Sequence, residues 1–148
     1  MEVEQLDMLV GVRFPGGAFA IEPYEDWLLR DALGADSGDG IHAHPLWGFA
    51  APQRSMGITI DEVFELCGAR ASDGPLLGDT SITTECELLL EQRYTVAAGI
   101  TSAQRKHGRS MGTFDVVHFT ATTFDPDGVL VGRLTNSFVF PRSLERAT

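Results

Sequence analysis

Four side chains able to exchange protons stand close together in one segment of the chain. Asp36, Asp39, His42 and His44 fall within nine consecutive positions. A carboxylate and an imidazole beside one water molecule can orient and deprotonate it, which is the basis of general acid-base catalysis. Either aspartate can pair with either histidine at this spacing, so the residues alone leave the pair open.

The segment that holds these four residues, 35–52, follows neither the 3.6-residue period of a helix nor the alternation of a strand. We therefore predict a long loop. Long ordered loops in compact domains often have a function. The alternative is an ordinary connection, because Asp and Gly are common turn residues.

A helix is predicted on each side of this loop. The first covers 23–33, with Pro23 in its first turn and Gly34 at its end. The second covers 54–67 and has an apolar stripe broad enough to be buried against a sheet. That stripe consists of Ile60, Val63, Phe64 and Cys67.

After Asp79 the apolar residues alternate, which predicts strands. We expect an early strand near 8–19 and then four strands over 80–90, 94–104, 113–125 and 129–140. Consecutive hairpins make an antiparallel meander. The sequence thus predicts an α+β fold in one domain over 1–148, in which an antiparallel sheet wraps around a central helix.

The composition is that of an ordinary globular protein, with 43% apolar and 22% charged residues. The acidic amino terminus is unlike a secretory signal, and no apolar run is long enough to span a bilayer. We expect a cytoplasmic protein without a membrane segment. Cys67 and Cys86 stand alone, so neither a disulfide framework nor a metal site is predicted.

The charge is unevenly distributed along the chain. Residues 1–91 contain 17 acidic and 4 basic residues, for a net charge of −13, while residues 92–148 contain 4 acidic and 7 basic residues, for +3. The total of −10 disfavours nucleic acid as a partner, because phosphate contacts need a basic surface. A local phosphate site in the second part stays open.

Two segments resemble the MaoC-like dehydratases, including their FAS1-like branch. The segment 100–119 contains K-x-G-R-S-x-G followed by an apolar strand, and 136–142 resembles the final strand of that branch. Together with the order of elements, the resemblance covers about residues 17–142. It implies the hot-dog fold, which agrees with the sheet and central helix predicted above.

The resemblance also implies a catalytic pair. Hydratases of this group carry a G-D-x-N-P-x-H pattern, and here Gly38 and Asp39 are followed by His44 at the matching distance. Ile41 and His42 replace the central Asn-Pro, and the segment that follows is shorter than usual. The resemblance therefore implies Asp39 and His44 as the dyad, with His42 as a substitute for His44.

The implied reaction is the addition of water to a 2-enoyl thioester, or its reversal. In the family the Asp and His activate one water, and backbone NH groups at the start of the central helix polarise the thioester carbonyl. Gly57 is the candidate oxyanion donor here, and Trp47 a candidate wall of the acyl tunnel. No cofactor is implied.

A cluster of three basic residues lies between two predicted strands: Arg105, Lys106 and Arg109. Such a cluster suits the phosphates of coenzyme A or the acidic face of an acyl carrier protein. A solvated hairpin tip is the equally acceptable alternative. An unpaired edge strand and half-built tunnel also predict a homodimer, or a heterodimer with a second hot-dog subunit.

Three other functions remain open at this stage. A hot-dog thioesterase would use Glu62 or Glu65 to activate water against the thioester carbon. A non-catalytic subunit of a heteromeric dehydratase would account for the missing Asn-Pro. A third possibility is a hot-dog protein that acts on another small apolar molecule, since a fold does not determine a function.

Overall fold

A computed structural model describes residues 1–142, so positions 143–148 of the predicted domain lie outside the described residues. Four helices, α1 to α4, cover Val3–Asp7, Pro23–Leu33, Trp47–Arg54 and Ile60–Leu66, and a short 3-10 turn covers Ala71–Asp73. Five strands, β1 to β5, cover Gly17–Phe19, Leu76–Thr84, Tyr94–Gly108, Gly112–Phe124 and Leu130–Pro141.

The strands form one antiparallel sheet in the order β1-β3-β4-β5-β2. The predicted meander is confirmed for β3, β4 and β5, whose bounds differ from the prediction by a few residues at most. β2 pairs with β5 and therefore forms an edge of the sheet. All nine residues of β2 are exposed, including Leu76, Leu77 and Ile82.

Two sequence-based strand predictions need correction. The strand expected over 80–90 ends at Thr84, and the chain then leaves the sheet. The strand expected near 8–19 shrinks to β1 and one bridge between Arg13 and Gly99, because Gly11 and Gly16 adopt left-handed backbone angles on either side of that bridge. Helix α1, ahead of this segment, was not predicted.

Helix α2 has the predicted bounds, and its ends follow from local chemistry. Glu22 and Glu25 form a capping box, Pro23 occupies the first turn, and Gly34 ends the helix with a left-handed φ of 65°. The buried face of α2 is unusual, because it contains two charged residues, Asp26 and Arg30. Trp27, on the same helix, is 57% exposed.

The helix predicted over 54–67 is shorter than expected and forms α4, while α3 occupies the end of the segment that was predicted as a loop. Residues 55–59 separate α3 from α4, and Gly57 has a left-handed φ of 77°. A Cβ at Gly57 would lie 2.5 Å from the carbonyl oxygen of Gly16, and the neighbouring carbonyl of Met56 accepts the Gly16 NH at 2.7 Å. This close approach needs glycine and interrupts the helix.

Helix α3 lies against β2, β4 and β5, and its buried residues are Trp47, Ala51 and Pro52. Helix α4 also packs on the sheet, because its Phe64 contacts Phe138 and Phe140 of β5. The predicted sheet with a helix buried against it is therefore present, and Val63, Phe64 and Cys67 of the predicted apolar stripe are buried as expected. The core between helices and sheet is aromatic, with Phe138 packed edge-on against Phe64 at 5.0 Å between ring centroids.

Candidate functional site

The candidate site is a cavity of about 260 Å³ at one end of the sheet. One wall is the chain from His42 to Pro52, and the opposite wall is the end of β2 with the segment that follows it. The floor is formed by the neighbouring ends of β4 and β5. Most of the lining is apolar, while Arg30, His42, Glu87 and Arg133 bring charge to it.

Asp39 and His42 are joined by a hydrogen bond at this cavity. Nδ1 of His42 lies 2.6 Å from Oδ2 of Asp39, and His42 lines the cavity. Oδ1 of Asp39 accepts two backbone NH groups, from Ile41 and His42, each at 2.8 Å. The aspartate is thus held by three hydrogen bonds within its own loop, and it fixes the orientation of the imidazole.

These contacts set the charge of both groups. The backbone NH and the imidazole of His42, with the NH of Ile41, hold the pKa of Asp39 well below its usual range. The hydrogen bond to Asp39, together with the negative charges of Asp39 and Glu87, raises the pKa of His42 against a small effect of desolvation. The pair is therefore a carboxylate next to an imidazole that protonates easily.

A buried ion pair on α2 anchors this loop. Asp26 accepts the Arg30 Nε at 2.7 Å, the backbone NH of His44 at 2.7 Å and the indole NH of Trp47 at 3.1 Å. Burial alone would raise the pKa of Asp26, but these hydrogen bonds and the Arg30 charge outweigh it and lower the pKa. Arg30 also donates to Asp36 at 3.0 Å and to the carbonyl of His42 at 3.3 Å.

The structure does not bring His44 to Asp39. Nδ1 of His44 accepts the backbone NH of Leu46 at 3.1 Å, just before α3 begins. His44 is not part of the cavity lining, whereas His42 is. The imidazole that meets Asp39 is thus the one at the position where the family pattern has proline.

Two further predicted site residues lie away from the cavity. Trp47 is 6% exposed and packs between Asp26 and Arg54, whose guanidinium carbon lies 5.3 Å from the indole centroid. Gly57 follows the end of α3 and packs against Gly16. Neither residue lines the cavity, although Gly57 lies shortly before α4, as expected for a residue near the start of that helix.

The predicted basic cluster is divided. Arg105 turns inward and binds the fully buried carboxylate of Asp115 at 2.8 Å, where Arg142 also binds at 2.7 Å. Lys106 and Arg109 lie at the exposed β3–β4 hairpin. That hairpin is at the start of β4, and the cavity is at its end, about 40 Å away along thirteen residues at about 3.3 Å each.

Glu87 is a cavity residue that sequence reasoning missed. Its Oε2 lies 3.2 Å from Nε2 of His42, on the side of the ring opposite Asp39. The strand expected over 80–90 placed Glu87 inside the sheet. The available signal was the run of three leucines at 88–90, which breaks the alternation of a strand.

The acids proposed for a thioesterase do not reach this cavity. Glu62 lies in the first turn of α4, where its backbone NH donates to Thr59, and Glu65 lies on the same helix. Neither is a lining residue. Within residues 1–142, no three His, Cys, Asp or Glu side chains are grouped so that they could hold a metal ion, and no helix is long and apolar enough to cross a bilayer.

Comparison with known proteins gives structural likeness at low sequence identity. No protein-family model matches the chain, and no curated protein matches its sequence. The MaoC-like dehydratase from Rhodospirillum rubrum superposes with a TM-score of 0.62 at 15% identity, covering 92% of this chain and 94% of that one. The fold is the hot-dog fold of MaoC-like dehydratases.

Two enzymes named for their reactions have the same hot-dog fold. The truncated HadBC (3R-hydroxyacyl-ACP dehydratase) complex from Mycobacterium tuberculosis matches with a TM-score of 0.63 at 13% identity, over 86% of this chain and 93% of that one. R-hydratase PhaJ1 from Pseudomonas aeruginosa matches with a TM-score of 0.59 at 12% identity, over 93% and 86%. The predicted hot-dog fold is therefore confirmed.

Proposed function

We propose that this chain is a hydratase or dehydratase that interconverts an enoyl thioester and a 3-hydroxyacyl thioester. The observation that carries this proposal is the 2.6 Å hydrogen bond between Asp39 and His42 at the wall of a mostly apolar cavity. The imidazole supplies the proton transfer that this reaction needs, and the apolar lining suits an acyl chain. The names of the structural neighbours HadBC and PhaJ1 support the same reaction class.

The catalytic pair in this proposal is Asp39 and His42. Asp39 orients the imidazole and stabilises its charged form, while His42 reaches the cavity. Gly57 and Trp47 are not part of this proposal, because neither residue lines the cavity. The thioester carrier is coenzyme A or an acyl carrier protein.

The cavity also supports assembly with a second hot-dog subunit. A small-molecule pocket is usually about 300–1,000 Å³, and the cavity of this chain falls just below that range. Ile82, Thr83 and Thr84 of the exposed edge strand β2 form part of its wall. A subunit docked along β2 would pair the open edge and enlarge the enclosed space. A homodimer is our first expectation and a heterodimer the second.

Crotonyl-CoA tests the reaction directly. The expected result is loss of the enoyl absorbance without release of free thiol. His42→Gln should lower kcat by about 10²- to 10⁴-fold, the usual contribution of a general acid or base. His44→Gln is the matched control, because it alters only the imidazole that binds the Leu46 NH. It should have a small effect on kcat. Thiol release with the double bond intact would contradict the proposal and indicate a thioesterase.

The second candidate is a subunit that binds substrate without catalysing the reaction. It is favoured by His44, which occupies the family's catalytic position but binds the Leu46 NH and does not meet Asp39. In this case the purified chain should be inactive alone and should bind crotonyl-CoA. Activity should appear only when a second hot-dog subunit is added, and it should then survive His42→Gln.

A further inference from the structure

Glu87 stands against the face of His42 that is turned to the cavity. Oε2 of Glu87 lies 3.2 Å from Nε2 of His42, and both residues line the cavity. A short antiparallel bridge holds the two together: the Ala43 NH donates to the Leu88 carbonyl, and the Leu90 NH donates to the Ile41 carbonyl, each at 2.8 Å. The contact is therefore set by the backbone on both sides of the cavity mouth.

The two carboxylates differ in what they can still accept. Both oxygens of Asp39 are occupied by hydrogen bonds, from two backbone NH groups and from Nδ1 of His42. Asp39 is also absent from the cavity lining. The side chain of Glu87 is 80% exposed and contacts His42. Of the two acids, Glu87 is the one placed to meet a bound substrate.

The imidazole of His42 lies between two acceptors. Nδ1 makes a hydrogen bond to Asp39 and Nε2 an ion-pair contact to Glu87, so both contacts are favourable when both nitrogens carry protons. Arg30 is a cationic side chain that contacts His42. It binds the backbone carbonyl of His42 at 3.3 Å and not the imidazole ring. In its protonated form, which both carboxylates stabilise, this imidazole is an acid and not a base.

We propose that Glu87 is the catalytic base of this site and that His42 is its catalytic acid, with Asp39 as a positioning residue. This inference rests on the hydratase or dehydratase function proposed above. It assigns the base to an acid that lies outside the G-D-x-N-P-x-H pattern, on the opposite wall of the cavity.

The proton transfers balance in the dehydration direction. Glu87 removes the proton from C2 of the 3-hydroxyacyl thioester, and the electrons of the broken C–H bond form the C2–C3 double bond. The C3–O bond breaks, and the leaving hydroxyl takes the Nε2 proton of His42 to become water. Glu87 is then neutral and so is His42. Transfer of one proton across the 3.2 Å between them restores the starting charges. Hydration follows the same steps in reverse.

The test compares Glu87→Gln with Glu85→Gln, a matched control two residues earlier that is exposed and outside the cavity lining. Hydration of crotonyl-CoA gives the activity. Glu87→Gln should lower kcat by about 10²- to 10⁴-fold, Glu85→Gln should leave kcat unchanged, and Glu87→Asp should recover part of the loss. Because Glu87 is exposed, these variants should fold normally.

A titration of His42 supplies a readout that does not depend on turnover. The ring resonances of the four histidines are followed against pH by NMR, and His42→Gln identifies the signal of His42. The pKa of His42 should be lower in Glu87→Gln than in the wild-type protein, and unchanged in Glu85→Gln. This result together with the loss of kcat supports the inference.

Two outcomes would overturn it, and they are distinguishable. If Glu87→Gln keeps kcat within about threefold of wild type while His42→Gln is inactive, Glu87 is not the base and the proposed function stands. If the wild-type chain converts neither crotonyl-CoA nor 3-hydroxybutyryl-CoA, with or without a second hot-dog subunit, the proposed function fails and the catalytic role of Glu87 fails with it.

Discussion

Asp26 and Arg30 form a 2.7 Å ion pair one turn apart on the inward face of α2, and both residues are buried. The same aspartate accepts the His44 NH and the Trp47 indole NH, so one carboxylate connects α2, the loop from 35 to 46 and α3. The position of His42 at the cavity depends on this connection and on the bridge to Leu89, because that loop contains no helix or strand.

Removing the Asp26 charge should therefore destabilise the protein. Asp26→Ala removes the buried carboxylate that Arg30 binds and leaves the guanidinium with the exposed Asp36, and breaking a buried ion pair costs about 3–5 kcal/mol. The free energy of unfolding, measured in urea, should fall by about that amount. The matched control is Asp31→Ala, on the exposed face of the same helix, and it should change stability by less than about 0.5 kcal/mol. Equal effects of the two variants would show that the ion pair does not anchor the loop.

The Asp39–His42 pair predicts a pH window for stability. The pKa of Asp39 is lowered in the folded protein, so its contribution is present above the ordinary value of 3.8 and is lost as the pH falls. The pKa of His42 is raised, so its contribution is present below the ordinary value of 6.5 and is lost as the pH rises through the folded value. Both contributions coexist near about pH 5.

His42→Gln should accordingly cost more stability at about pH 5 than at about pH 9, where the wild-type imidazole is neutral. Urea unfolding of both proteins at the two pH values gives the comparison. His107→Gln, an exposed histidine in the β3–β4 hairpin, serves as the control and should show a smaller dependence. An equal loss of stability at both pH values would show that Asp39 does not stabilise a charged His42 imidazole in solution.

The exposed edge strand predicts self-association or association with a second subunit. Leu77 on β2 is 53% exposed, and a lysine there would place a charge in the expected contact. Leu77→Lys should convert the proposed dimer to a monomer, as measured by light scattering after size-exclusion chromatography. Val129→Lys alters a residue of similar exposure in the β4–β5 turn and should leave the mass unchanged. A wild-type chain that is already monomeric alone would direct the search to a foreign hot-dog subunit.

The two cysteines should react at very different rates. Burial raises the pKa of Cys67 to about 12, and this thiol has no solvent exposure. Cys86 is exposed and lines the cavity. One thiol should be alkylated in the native protein and the second only after unfolding, as counted by mass spectrometry.

Occupation of the cavity should slow the alkylation of Cys86. Crotonyl-CoA at saturating concentration is the probe, and the Cys86→Ser variant should show no fast phase at all. Fast alkylation that crotonyl-CoA leaves unchanged would place the acyl chain somewhere other than this cavity.

The sequence predicts well those elements whose pattern is local. Helix α2 is bounded by Pro23 and Gly34, and strands β3, β4 and β5 alternate regularly between short turns. Tertiary contacts decided the elements that were missed. Gly57 interrupts the predicted second helix because Gly16, forty-one positions earlier, packs against it, and no local pattern contains that contact.

The site was predicted in its components and not in its pairing. The sequence indicated the loop and its four candidate residues, but His42 and His44 are equally acceptable from spacing alone. The choice depends on backbone direction, since the His44 NH is bound by Asp26 and its ring by Leu46. Glu87 could not be placed either, because its approach to His42 depends on the bridge between His42 and Leu89, which are forty-seven positions apart.

The two tryptophans differ in solvent exposure, so their intrinsic fluorescence can report a change in the structure. Trp27 is 57% exposed on the outer face of α2, while Trp47 is 6% exposed and bound to Asp26. The fluorescence emission of Trp27 is already that of a solvent-exposed indole. When the loop from 35 to 46 loosens, a red shift must therefore come from Trp47, which lies just after that loop. A Trp27→Phe protein would have a single fluorophore there, and its spectrum would follow the departure of that loop from α2 without any added label.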